Sequence, residues 1–285
     1  MPTSIIDIHP HIISADTGRY PITPLGGKQS VWSRERPVTF EKMIAAMDEA
    51  GVQKAAIVHS STTYGYDNSY LADCVALQPK RFTGVFSVDM LAADAPEKIR
   101  HWVRRGLSGL RLFTAGSTMD QQSTWLDDPR SFPGWECAGE LGIPVCVQLR
   151  PEGLPQLMVL IKRFANVRII IDHLMKPPVE EGPPYTASSF LFDLARYANV
   201  YLKLSTNNVR ASTKGKATPE TFFSRLVKEF GASRIAWGSN YPASPGTLPE
   251  IVKEAKAVLG VLPQQDQEWI FCRTAQTLYP ALADK

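Results

Sequence analysis

The feature that most constrains this chain is alternation: short apolar runs of strand character give way to segments of helical periodicity, eight times from end to end. Strand character falls at 4–9, 54–59, 82–89, 109–113, 145–149, 168–173, 200–205 and 234–238. Helical patterns lie near 40–50, 68–77, 95–105, 134–141, 154–164, 188–197, 219–230 and 248–259. In the first of these, Met43, Ile44 and Met47 share one face. Strict alternation implies a parallel sheet, because each parallel connection needs a crossover, and eight units close a (β/α)8 TIM barrel. An open doubly wound sheet would want a glycine-rich phosphate loop after the first strand, where this chain has Asp7-Ile8-His9-Pro10-His11. The stretch 266–282 reads as a closing helix, with Trp269, Phe271, Thr274 and Leu278 as its packed face. The expectation is therefore one α/β domain over 1–285.

Composition narrows the partners. Lys and Arg number 31 against 28 Asp and Glu, with the signs interspersed, so no basic surface for nucleic acid is expected. No run approaches the roughly 18 apolar residues of a membrane span. Met1-Pro2-Thr3-Ser4 does not read as a signal peptide, which points to the cytoplasm. Cys74, Cys137, Cys146 and Cys272 lack metal-type spacing and read as reduced thiols. Association into a homo-oligomer is left open.

Residues 12–38 follow the first strand with no regular pattern, three prolines, adjacent glycines, Tyr20 and Trp32. A structureless segment of that length is usually functional, and at the C-terminal end of a barrel strand it would overhang the mouth as a lid. Four of the five histidines, His9, His11, His59 and His173, fall at predicted strand C-termini, which converge at that mouth. His101 lies on a helix and reads as a solvated residue. His9 and His11, two apart on extended backbone, point to the same side, and Pro10 biases His9 toward that geometry. Both could equally be satisfied polar residues of the barrel wall.

Several segments carry a resemblance. Asp7-Ile8-His9-Pro10-His11 resembles the Asp-x-His-x-His motif of the amidohydrolase superfamily. Asp172-His173-Leu174-Met175-Lys176-Pro177, Val200–Ser205 and Trp237-Gly238-Ser239-Asn240-Tyr241-Pro242 are similar to the sixth, seventh and eighth strands of its lactonase branch. Tyr64-Gly65-Tyr66-Asp67-Asn68 resembles the pyrone-dicarboxylate and sulfomuconolactone lactonases within that branch. The resemblance implies hydrolysis of a small, carboxylated lactone or related cyclic ester. It also implies one divalent metal, zinc or manganese, on His9, His11 and His173, or else the same histidines acting as donors to a carbonyl.

Departures qualify that inheritance. The family's eighth-strand Asp is here Asn240, an amide that cannot ionise to serve as a base. Gln148 stands where metal-bound members often have His, and the fourth strand's Leu110-Arg111-Leu112 offers no Lys to carboxylate, which argues against two metals and against tight binding of one. The catalytic set is then His9, His11, His173 and Asn240, with Asn240 orienting a water and His59 or His173 taking the proton. Arg111 is a carboxylate clamp or a structural ion pair. Gln148, Lys176, Tyr64, Asn68 and His59 are further candidates for holding an anionic substrate. Asp67 reads alternatively as a turn residue, and Lys203 as the partner of Asp7 or Asp172. Two rival readings share the fold: a metal-dependent decarboxylase of small aromatic acids, disfavoured because such enzymes usually carry a Glu-containing motif at the His9-Pro10-His11 position, and a barrel that binds a small acid without turning it over.

Overall fold

The computed structural model describes residues 4–283; the outermost residues of the expected 1–285 domain, Met1–Thr3 among them, lie outside the described residues. Eight parallel strands follow one another around the sheet in sequence order: β1 (Ile6–Asp7), β2 (Lys54–Val58), β3 (Phe82–Phe86), β4 (Gly109–Phe113), β5 (Val145–Gln148), β6 (Ile169–Asp172), β7 (Val200–Ser205) and β8 (Ile235–Gly238). Helices cover the outside, so the fold is the (β/α)8 barrel that the alternation predicts. The helices Phe40–Ala50, Pro219–Phe230 and Leu248–Leu259 have the expected bounds. Each is opened by a threonine, Thr39, Thr218 or Thr247, whose hydroxyl accepts a first-turn amide.

The seam between β8 and β1 shows why the first strand is so short. Ile8 N–H donates to Trp237 O at 3.3 Å, and beyond that the Asp7 carboxylate replaces backbone pairing. Its Oδ1 accepts from His9 N–H at 2.9 Å and from Ser239 N–H at 2.8 Å. A side chain thus satisfies the amides that a longer ladder would have used.

Inside the barrel, Ile6, Ile8, Ala56, Val58, Val85, Ile170 and Ala236 form an apolar plug. The C-terminal segment caps it from below with Leu278, Tyr279 and Leu282, and Lys54 Nζ donates to Leu282 O at 3.0 Å. This segment is not the single helix expected over 266–282: a helix Gln264–Glu268 and a helix Thr274–Leu278 flank a π-helical turn at Trp269–Arg273. Phe271, Thr274 and Leu278 are buried as anticipated, while Trp269 is half-buried. The pattern at 188–197 likewise resolves into a short α-helix, Ser189–Phe192, continued as a tighter 3-10 turn, Asp193–Arg196.

Residues 12–38 are not structureless. They contain a 3-10 turn at Leu25–Gly27 and a short helix at Val31–Glu35, and Arg36 donates to Ala243 O beyond β8 at 3.0 Å. No helix among the described residues is long and apolar enough to cross a membrane. No disulfide joins the four cysteines.

Gly109 leaves room for the plug: a Cβ there would lie 2.8 Å from the Tyr279 ring and 3.3 Å from Val85. Gly109→Ala is expected to overpack the barrel floor and cost roughly 1–3 kcal/mol in denaturant unfolding. An unchanged midpoint would show that the Tyr279 plug yields without cost.

Candidate active site

The strand ends build a cavity of about 180 Å³ at the barrel mouth. His11, Arg111, Gln148, His173, Lys176 and Asn240 line it, together with Trp32. Trp32 stacks on His11, with ring centres 5.0 Å apart. Tyr20, the other aromatic expected over the mouth, is elsewhere: its hydroxyl donates to Asp73 at 2.7 Å and its ring packs on Tyr70, so it anchors the segment.

Beneath the cavity lies a buried ion cluster. Asp172 at the end of β6 receives Arg111 Nε from β4 on Oδ2 at 2.8 Å, and the Lys203 ammonium from β7 stands 2.8 Å from Oδ1. Arg111 therefore realises the structural ion-pair alternative while still lining the cavity, and Lys203 pairs with Asp172 rather than with Asp7. Burial alone would raise the Asp172 carboxyl, but Lys203 and Arg111 hold it well below the usual carboxylate range. Asp7, buried with weaker compensation, is pushed up to about 6. Arg111 also donates to Gln148 Oε1, which turns the Gln148 NH2 group away as a remaining donor.

The histidines divide by their hydrogen bonds. His11 Nδ1 donates to Val58 O at 2.8 Å, since a carbonyl can only accept, and this leaves Nε2 with a lone pair. His173 reaches the same tautomer through a relay. Asn208 Nδ2 donates to His173 O at 2.9 Å, and its Oδ1 accepts from Ser205 N–H at 3.0 Å and Ser205 Oγ–H at 3.1 Å. With its proton committed to Asn208, Ser205 Oγ accepts from His173 Nδ1–H at 2.8 Å. His173 through Lys176 also carries four successive left-handed residues, at φ 54°, 53°, 60° and 50°. That conformation costs on the order of 1–2 kcal/mol per residue, opposed here by the Asn208 tie and by full burial of Leu174 and Met175.

Three of the expected substrate contacts do not reach the cavity. His59 Nε2 donates to Gly65 O at 2.9 Å, Tyr64 OH accepts from Ser14 N–H at 2.7 Å, and Asn68 bonds both backbone groups of Ser87, at 2.9 Å each. All three are consumed in holding loops. Asp67 is a turn residue, accepting from Ser69 N–H at 2.9 Å. His101 is exposed on the helix Ala95–Arg104. Ser60, Ser61 and Thr62, which do line the cavity, were not anticipated, although their polar run directly after β2 was the available signal. Ser205 and Asn208 could have been found from their cap-type spacing at a strand end.

His9 is fully buried, and both its ring nitrogens lack a hydrogen-bond partner among the described residues. Gly238 makes room for it, since a Cβ at that position would lie 2.6 Å from His9 Cβ. Among the described residues, ligating atoms of His9, Asp172 and His173 lie within 4.8 Å of one another. The expected trio differs in one member: Asp172 joins the close group, whereas His11 is turned by Val58 and Trp32. Two neutral imidazoles, one of them orphaned, and a carboxylate fit a single zinc-type ion in donor chemistry, while Lys203 and Arg111 on that carboxylate oppose its charge.

Asn240 sits at the cavity with φ 55°, a left-handed position that asparagine tolerates. Its Nδ2 donates to Ser244 Oγ at 3.0 Å, which leaves Oδ1 as an acceptor.

Two measurements follow from these bonds. In Ser205→Ala, the His173 Nδ1–H signal in ring 15N spectra is expected to give way to a tautomer mixture; a retained single Nδ1–H form would place the control elsewhere. Burial lowers His11 and His173 to about 3 and His59 to about 4, and it pushes His9 well down too. The unfolded chain, with histidines near 6.5, binds more protons, so the stability present above that pH is lost as pH falls toward 4. Asp7 acts oppositely between 3.8 and about 6, as one group against four. Tm is expected to be lower at pH 5 than at pH 7.5, and equal values would contradict burial of neutral histidines.

Comparison with known proteins places this geometry. L-fucono-1,5-lactonase of Burkholderia ambifaria is 29% identical over 243 residues, covering 84% of this chain and 80% of that protein. The 4-sulfomuconolactone hydrolase of Rhizobium radiobacter is 26% identical over 258 residues, covering 88% and 81%. A Pseudomonas putida structure named a 2-pyrone-4,6-dicarboxylic acid hydrolase superposes with a TM-score of 0.80 at 20% identity over 100% of both chains, which supports the fold. The amidohydrolase family model matches residues 6–281, and the chain belongs to the amidohydrolase family.

Proposed function

We propose that this protein hydrolyses a small, carboxylated lactone or related cyclic ester, with the segment 12–38 as the lid of its site. The observation that carries the reading is the polarity of the mouth. Nitrogen lone pairs of neutral His11 and His173, the acceptor of Asn240 and the donors of Arg111 and Gln148 line one cavity. Two curated relatives are named as hydrolases of lactones, in keeping with that chemistry.

The ring carbonyl lies toward Arg111 and the free amide of Gln148, whose donors meet the charge that develops on its oxygen. Asn240 Oδ1 accepts one hydrogen of the attacking water and so orients it. His173 Nε2 takes the other proton as the water oxygen bonds to the carbonyl carbon, and returns it to the ring oxygen as the C–O bond breaks. Ring opening yields one hydroxyl and one carboxylic acid, which ionises and releases a proton. His59 has no part in this, since it does not line the cavity. A divalent ion held by His9, Asp172 and the one free nitrogen of His173 would polarise the carbonyl or acidify the water in place of proton transfer to His173. The histidines of the Asp-x-His-x-His segment and the absence of a Glu there favour this reading over decarboxylation.

A pH indicator that follows acid release from a lactone panel tests the proposal. The chain is expected to open at least one carboxylated lactone, and His173→Gln to lose about 10²–10⁴-fold in kcat. Full activity in His173→Gln would remove it as the base. Release of carbon dioxide from hydroxybenzoates, with every lactone untouched, would overturn the hydrolase reading.

A further inference from the structure

Trp32 stands on a bar that crosses the barrel mouth. Its helix, Val31–Glu35, is tied down on both sides. On the β2 side, Ser30 N–H donates to Thr62 O at 3.4 Å, and the Thr62 hydroxyl donates to Ser30 Oγ at 2.9 Å. Ser30 Oγ–H donates on to Ser33 Oγ at 2.9 Å, and Ser33 closes the chain on Ser30 O at 3.0 Å. All three hydroxyl side chains are buried, so lifting the helix would strand polar groups as well as break contacts. On the β8 side the hold is Arg36 on Ala243 O, and Arg36 N–H ends the helix on Trp32 O at 2.9 Å. Between these ties the indole packs on Ile13, Tyr20 and Tyr64 and stacks on His11.

Strand order gives the bar its meaning. In a closed ring of eight strands taken in sequence, β1 lies across from β5, and β4 is the neighbour of β5. A lactone whose carbonyl is directed to Arg111 on β4 and Gln148 on β5 therefore turns the opposite edge of its ring toward β1, where His11 and Trp32 line the cavity. That cavity measures about 180 Å³, below the roughly 300–1,000 Å³ usual for small-molecule sites. A group projecting from that edge of the ring meets the indole first. The indole cannot yield cheaply, because its helix is held at both ends.

We infer that Trp32 is the specificity-determining residue of the proposed hydrolysis. It admits lactones whose ring edge opposite the carbonyl is bare, and it excludes those with a branched substituent there. Thr62 and Ser30 act through it as positioning residues. The inference rests on the lactonase reading and deepens it by setting the substitution pattern of the substrate.

The test uses two δ-lactones with the same carboxylate beside the ring oxygen. One is otherwise bare, and the other carries an isopropyl group on the ring carbon opposite the carbonyl carbon. The chain is expected to favour the bare lactone by at least about tenfold in kcat/KM. That preference should fall about tenfold in Trp32→Ala, through a lower KM for the branched lactone, and about threefold in Trp32→Phe. Trp32→Phe, which keeps an aromatic ring on His11, carries the test if Trp32→Ala misfolds. Thr62→Val should lower the preference too, and Thr62→Ser, which keeps the hydroxyl, should restore it. No preference in the chain, or one that both Trp32 variants retain, overturns the assignment and leaves the hydrolase reading standing. If neither lactone is opened, the hydrolase reading fails, and calorimetry with the same two lactones decides the role of Trp32. Weaker binding of the branched lactone that the Trp32 variants relieve supports it, and equal binding sinks it.

Discussion

The Asp172 carboxylate carries more of this architecture than any other single group. A barrel of eight strands has an interior just wide enough for side chains, and an apolar filling is its simplest solution. Here β4 and β7 send Arg111 and Lys203 into that interior, and each is stable there only because β6 supplies the opposing charge between them. Removing one partner of such a buried pair costs roughly 3–5 kcal/mol, since it strands the other. Three strands that do not all neighbour one another are thereby held in register at the level where the functional side chains emerge. Burial, reinforced by the positive charges of Lys203 and Arg111, keeps His9, His11 and His173 neutral, so the mouth presents lone pairs instead of a cluster of cations.

Much of this was legible in the sequence. The eight strands and the outer helices followed from apolar periodicity, because each strand is buried on both faces and each helix on one. Histidines at strand ends mark the mouth for a purely topological reason, and His11 and His173 line it as their positions imply. What stayed illegible was the destination of each hydrogen bond. His59 and His173 both end strands, yet one ring nitrogen of His59 is spent on Gly65 and the ring is held back from the cavity. Nothing in the linear order distinguishes the two. Tyr20 is another case, since an aromatic on a mouth loop can face the pocket or its foundations, and only the position of Asp73 settles which. The π-turn at Trp269–Arg273 was hidden because one extra residue in a helical turn leaves the hydrophobic pattern nearly intact.

The site also shows how strain and polarity are matched. Four left-handed residues at His173–Lys176 would be untenable in isolation, and they lie where Asn208, Ser205 and two buried apolar side chains over-determine the backbone. The turn aims His173 one way and leaves Lys176 at the wall of the cavity. Asn240 is likewise left-handed, and Ser244 fixes the orientation of its amide. Chemistry that an Asp at this position would perform by ionising is here available only as an acceptor dipole.

The stacking of Trp32 on His11 means that the solvent boundary of the site is set by a residue on a short helix, not by the barrel itself. That helix is tied across the mouth by Arg36 to the backbone after β8, so the first and last strands of the barrel share a single clasp. A ligand that reaches His11 meets the indole and the imidazole together. Wetting of the mouth and exposure of the His11 lone pair are therefore one event, and the indole's fluorescence would report both.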